Sequence, residues 1–166
     1  MRVIGLLLVL AAVAGFYWLG GNRLDEAQVR DFYQRAEQAM LALDDETLCR
    51  MLAEDFEQTT VTRVESNEMR ATMDKAGYCR STAETTQQLR QLRDAMRGNS
   101  PMRYSQTVVS VTLAPDRRSA DVEMRATLEM PGMRSSSRSR DTVVRERWRM
   151  YALRSNSVVW VGPAYR

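Results

Sequence analysis

The side chains in this chain that could do chemistry are few. It has no histidine, which removes imidazole general bases, Ser-His-Asp and Cys-His arrangements and histidine-ligated metals together. Its two cysteines, Cys49 and Cys79, are too few for a four-cysteine zinc site or an iron–sulfur cluster held by one chain. They lie 30 residues apart without C-x-x-C spacing. They read as one structural disulfide in an oxidising compartment, or as two buried thiols in a reducing one. No glycine-rich phosphate loop, G-x-S-x-G elbow or EF-hand pattern occurs. The methionines are scattered as core filler and form no copper-ligating cluster. Neither a metal nor a cofactor is expected, and no catalytic set of side chains is assembled by the sequence.

One carboxylate stands apart. Along Val143–Leu153, Glu146 shares alternate positions with Val144, Trp148, Met150 and Ala152, while Arg145, Arg147 and Arg149 take the others. On a continuous strand this places an acid among apolar side chains, where desolvation suits a general acid/base or a ligand anchor. Tyr33 and Trp148 would be walls of the same ligand pocket. The plainer alternative is a carboxylate paired with an arginine from a helix, or one at an open rim.

The basic residues are 23 arginines and one lysine against 21 acids, a bias that points to a GC-rich bacterial genome. Six of them, Arg134, Arg138, Arg140, Arg145, Arg147 and Arg149, leave Arg134–Arg149 with a net charge of +4, whereas Asp25–Glu68 carries −8. A body so nearly neutral overall is a poor fit to nucleic acid. The arginines form a candidate basic partner surface for anionic headgroups or an acidic protein, or simply a solvated sheet face.

The elements that must position these residues follow from periodicity. Val29, Phe32, Tyr33, Ala36, Met40 and Leu43 recur at helical spacing. Asp44-Asp45 offers an N-cap to a short helix containing Leu48, Met51 and Leu52. Phe56–Arg63 is strand-like. Met69–Met96 returns to helical spacing, with Gly77 as a possible break, and Gly98-Asn99-Ser100-Pro101 stops it. Strands follow at Tyr104–Leu113, at Ala120–Met130 with strict alternation, and across Val143–Leu153. Arg134–Arg140 reads as a polar loop or strand extension, and Ser155-Asn156-Ser157 leads into Val158–Val161. Helices followed by strands make an α+β domain.

Ahead of these elements, Val3–Leu19 is 17 residues without a charge, just long enough to span a bilayer, with Phe16-Tyr17-Trp18 placed as an interfacial belt. The chain therefore divides into a membrane anchor over residues 1–23 and a domain over 24–166. Ala12-Val13-Ala14 has the form of a cleavage site, but cleavage there would leave a signal peptide shorter than usual. Arg23, Arg30 and Arg35 follow the run and only Arg2 precedes it, against the positive-inside rule, although long domains translocate regardless of charge. The expected location is the bacterial inner membrane, single-pass through residues 3–19, with the body in the periplasm.

The stretch "Y-Q-R-A-E-Q-A-M-L-A-L-D-D-E-T-L-C-R-M-L-A-E-D-F-E" resembles the opening of a nuclear transport factor 2-like (SnoaL-like) domain. The later helix and the strand meander are similar too, over residues 24–166. The resemblance implies helices packed on a curved antiparallel sheet, the cystatin-like cone, and it implies that a pocket acid can sit on the strand carrying Glu146. That family includes isomerases, cyclases, dehydratases and members without catalysis, so the fold alone implies no activity. The reading is a non-catalytic binding or assembly domain of the cell envelope, with a protein partner or as a homo-oligomer. In architecture it is similar to periplasmic scaffold subunits of type IV secretion machines. The alternative is a small-molecule- or lipid-binding pocket, or an isomerase-like enzyme using Glu146. A deep cavity favours the second, a filled cone the first.

Overall fold

The computed structural model describes Gly15, residues 23–96 and residues 102–163. The proposed anchor over residues 3–19 therefore lies outside the described residues except for Gly15, as do the whole Gly98–Pro101 stop and the last three residues. No helix among the described residues is long and apolar enough to cross a membrane.

Helix α1 (Glu26–Ala42) begins at a capping box. The Asp25 carboxylate accepts from the Gln28 backbone N–H at 2.8 Å, and the Gln28 side chain accepts from the Asp25 N–H, satisfying two donors that a helix start leaves open. Val29, Phe32, Tyr33 and Ala39 form its buried stripe, and Leu43 ends it in the left-handed conformation. Asp44 caps the short α2 (Asp45–Arg50). Strand β1 (Leu52–Val64) turns into β2 (Asn67–Asp74), and Asp74 caps α3 (Lys75–Ala95). Strands β3 (Arg103–Leu113), β4 (Ser119–Met130), β5 (Met133–Glu146) and β6 (Arg149–Pro163) follow as a meander.

The six strands form one sheet in the order β2-β1-β6-β5-β4-β3. Four of its pairings are antiparallel, as expected, while β1 runs parallel to β6. The two strands come from opposite ends of the domain, and α3 and β3–β5 supply the long connection that parallel neighbours require. Register shifts in β1/β6, β3/β4 and β5/β6 bend the sheet.

One expected element is corrected. Met69–Asp74 is an edge strand, not the start of a helix: Met69 pairs with Thr62 and is 61% exposed. Met69 and Met73 satisfy a spacing of two as well as one of four, and only pairing with β1 decides between them. Of the two readings of Arg134–Arg140 the strand holds: it is the first half of β5, with Ser135, Ser137 and Ser139 turned inward and Arg134, Arg138 and Arg140 outward.

The core joins α1 to the inner face of β4 and β5. Leu24, Val29, Phe32 and Tyr33 pack on Ala120, Val122, Met124 and Val143. Burying a side chain such as Val29 or Val143 stabilises by about 1.5–3 kcal/mol. Leu24 is fixed by its N–H, which donates to the Arg117 carbonyl at 2.6 Å, while Arg117 Nε donates back to the Leu24 carbonyl at 3.0 Å. Cys49 and Cys79 are joined as a disulfide with Cα atoms 5.3 Å apart. It ties α2 to α3, and a cross-link of this loop length contributes about 2–4 kcal/mol.

Candidate functional site

The inner face of the sheet does not close fully against the helices. A recess of about 290 Å³ remains between α1, α3 and strands β1 and β3–β6. Period-2 geometry decides what lines it, because successive side chains of a strand point to opposite faces. On β5 the inward positions are Ser137, Ser139 and Asp141, paired with Val159, Ser157 and Ser155 of β6. Ser157 shares a hydrogen bond of 2.9 Å with Thr60 of β1. Tyr104 and Gln106 enter from β3, and Phe32 and Tyr33 from α1. Phe56 and Tyr78 meet edge to face, their ring centroids 5.5 Å apart.

Asp141 is the polar centre of this recess. It is 8% exposed. Tyr33 donates its hydroxyl to Oδ2 at 3.0 Å and Ser155 donates to Oδ1 at 2.7 Å. Burial pushes the Asp141 carboxyl above its ordinary range, against the opposing pull of the hydroxyls of Ser155, Tyr33 and Ser139. Burial first, and the Asp141 charge second, push the Tyr33 phenol up as well. Desolvation also raises Tyr78 and Tyr104, so the three phenols stay neutral hydrogen-bonding groups. The Tyr33 backbone carbonyl accepts from the Gln106 amide, and the Tyr104 hydroxyl donates to Gln106 Oε1 at 2.9 Å. The polar wall is thereby cross-braced. Among the described residues no group of three or more metal-ligating side chains is assembled.

Of the residues singled out in the sequence, Tyr33 lies in the recess and Glu146 and Trp148 do not. The expectation for these two is corrected by a turn. Arg147 and Trp148, at φ 46° and 71°, form a two-residue turn between β5 and β6, so Glu146 pairs with Arg149, and Arg145 with Met150. Crossing such a turn inverts the parity of the pattern: Met150 and Ala152 share the inner side with Val143 and Arg145, not with Val144 and Glu146. Glu146 is exposed at the hairpin tip near Arg118 and Arg147. Trp148 is 42% exposed with the Arg145 guanidinium 6.0 Å from its ring centroid.

The six arginines do not share one surface either. Arg134, Arg138 and Arg140 stand on the exposed face of β5. Arg145 is half-buried and donates to the Gln28 side chain, Arg147 lies in the turn, and Arg149 opens β6. Arg125, on the wet face of β4, joins the first group by facing Arg138 across β4 and β5. Asp141 was also legible in principle. If Arg134, Arg138 and Arg140 are outward, the odd positions through Asp141 are inward.

The architecture matches solved structures despite very low sequence identity. A hexachlorocyclohexane dehydrochlorinase superposes with a TM-score of 0.58 at 10% identity, covering 84% of this chain and 88% of that one. A nuclear transport factor 2-like protein of unknown function from Pseudomonas putida gives 0.58 at 12% identity, over 80% and 84%. The fold is the nuclear transport factor 2-like cone. A cystatin-like domain from Nostoc punctiforme aligns on the same cone with a TM-score of 0.55 at 14% identity, over 81% of this chain and 76% of its own. No family model matches the sequence, and no curated protein sequence matches it. At such identities the cone is shared and the chemistry of its recess is this chain's own.

Proposed function

We propose that this protein is a non-catalytic binding domain of the bacterial cell envelope, anchored in the inner membrane by residues 3–19, whose periplasmic cone holds a small ligand. The observation that carries the reading is the recess on the concave face, which combines one buried carboxylate, a wall of hydroxyls and several aromatic rings. A filled cone would favour a purely assembling domain; a recess with a few convergent polar groups favours a ligand. Any acid–base step would fall to Asp141 in place of Glu146. With no imidazole in the chain, that carboxyl has no second titrating partner of the usual kind.

The test is native mass spectrometry of the full chain released from its own membranes in mild detergent, beside Ala126→Trp, which places an indole in the recess. The expected outcome is a small-molecule adduct on the parent protein that the variant lacks. An adduct-free parent, or an adduct that survives in Ala126→Trp, would remove the recess from consideration. A second reading, an acidic protein partner on the outer sheet face, draws support from the exposed Arg134, Arg138 and Arg140. It predicts that Arg138→Glu abolishes a cross-link that Ala126→Trp preserves.

A further inference from the structure

The recess contains one charged side chain among the described residues that line it, and that one is an acid. This is notable in a chain with 24 basic residues, since none of those described lines the recess. Five aromatic residues share its walls: Phe32, Tyr33, Phe56, Tyr78 and Tyr104. Phe56 and Tyr78 meet at an interplanar angle of 76°, and Phe32 and Tyr33 at 90°, so the rings present faces in different directions. An aromatic face carries negative potential, and a carboxylate adds to it.

We infer that the recess selects small organic ammonium cations, with Asp141 as counter-ion and the rings of Phe56, Tyr78 and Tyr104 as a cage. The inference rests on the reading of the recess as a ligand site and names its ligand class. An anion would be desolvated beside Asp141 with no cation to offset it. A wholly apolar guest would leave the hydroxyl wall uncompensated. A cation gains from the carboxylate and from the ring faces together. Asp141 retains acceptor capacity, because a carboxylate has about four lone-pair sites, and the hydroxyls of Ser155, Tyr33 and Ser139 occupy three of them. The volume of about 290 Å³ suits a compact amine better than a lipid chain or a peptide.

Binding is coupled to a proton. Burial pushes the Asp141 carboxyl up, and an adjacent cation favours its ionised form, so affinity rises with pH. The groups facing Asp141 are Tyr33 of α1, Tyr78 of α3, Tyr104 of β3, Ser155 of β6 and Ser139 of its own strand. Glu37 of α1 lies behind Tyr104. The three phenols are all shifted upward and stay neutral, which leaves Asp141 as the group whose charge changes beside the ligand.

The experiment is calorimetric titration of the full chain in detergent with choline, with its uncharged tert-butyl isostere neohexyl alcohol, and with the anion tert-butylacetate. Choline should bind about tenfold or more tightly than the isostere, the scale of a desolvated cation–π and ion-pair contribution, and tert-butylacetate not at all. Asp141→Asn should narrow the gap between choline and the isostere by weakening choline alone, the ring faces keeping the remainder. Tyr104→Leu provides the same readout should the first variant fail to fold. Equal or tighter binding of the isostere overturns the cation preference while the recess stands as a site, and so does a choline affinity indifferent to both substitutions. Binding of none of the three also overturns the cation proposal; the recess itself is lost only if the Ala126→Trp comparison fails as well.

Discussion

Asp141 is held by Tyr33 and Ser155, yet burial outweighs these bonds and its carboxyl is raised. The folded chain therefore binds this proton more tightly than the unfolded chain does. Stability from this group is fully present below the ordinary aspartate value of 3.8 and declines as pH rises through the raised folded-state value. Asp141→Asn has no charge to desolvate; one of the Tyr33 and Ser155 hydroxyls can turn to accept from its amide nitrogen while the other still donates to its oxygen. Urea denaturation across this pH range should show the variant losing less stability with rising pH than the parent. A parent that gains stability through Asp141 over the same range would contradict the account. Glu146 teaches the complementary lesson. Met150 and Ala152, which alternate with it in the sequence, do not share its face, because a turn intervenes after it.

At the scale of elements, β4 and β5 pair most of their outward charges by sign. Glu129 faces Arg134 and Glu123 faces Arg140, each as an ion pair, and Asp121 accepts from Thr142 at 2.9 Å. Arg125 facing Arg138 is the exception. Directly opposed like charges are destabilising, and opposite charges there are worth about 0.2–1 kcal/mol. Arg125→Glu should thus stabilise the domain by up to about that amount, with the gain shrinking in high salt. A shift of the urea midpoint downward would show that this arginine pair does not carry the expected repulsion. Helices α1 and α2 and most strands were legible because capping residues and strict alternation are local signals. Strand β2 was not, since an exposed edge shows no burial pattern, and the β5–β6 turn was not, since Arg-Trp carries none of the usual Asn-Gly chemistry.

At the scale of the whole molecule, the recess gathers hydroxyls, aromatic rings and one acid on the inner face, while Arg134, Arg138 and Arg140 stand on the outer face of β5. Residues 3–19 are proposed to hold that cone at a membrane. Deleting residues 1–22 should move the protein from the membrane pellet to the soluble fraction while leaving the capped α1 and the core intact, since Leu24 and Asp25 are retained. Retention of the deleted form in carbonate-washed membranes would show that the anchor lies elsewhere.

The sequence by itself determined the α+β class, the helix cap at Asp44, the alternation of β4 and the narrow choice of chemistry that follows from a chain without histidine. These are properties of composition and of neighbours within a few residues. Only the tertiary structure decided that β1 lies parallel to β6, that Cys49 meets Cys79, and that Asp141 faces the recess while Glu146 does not. The reason is physical: burial and pairing depend on residues distant in the chain, and one two-residue turn is enough to exchange the inner and outer faces of the residues that follow it, until a bulge exchanges them again.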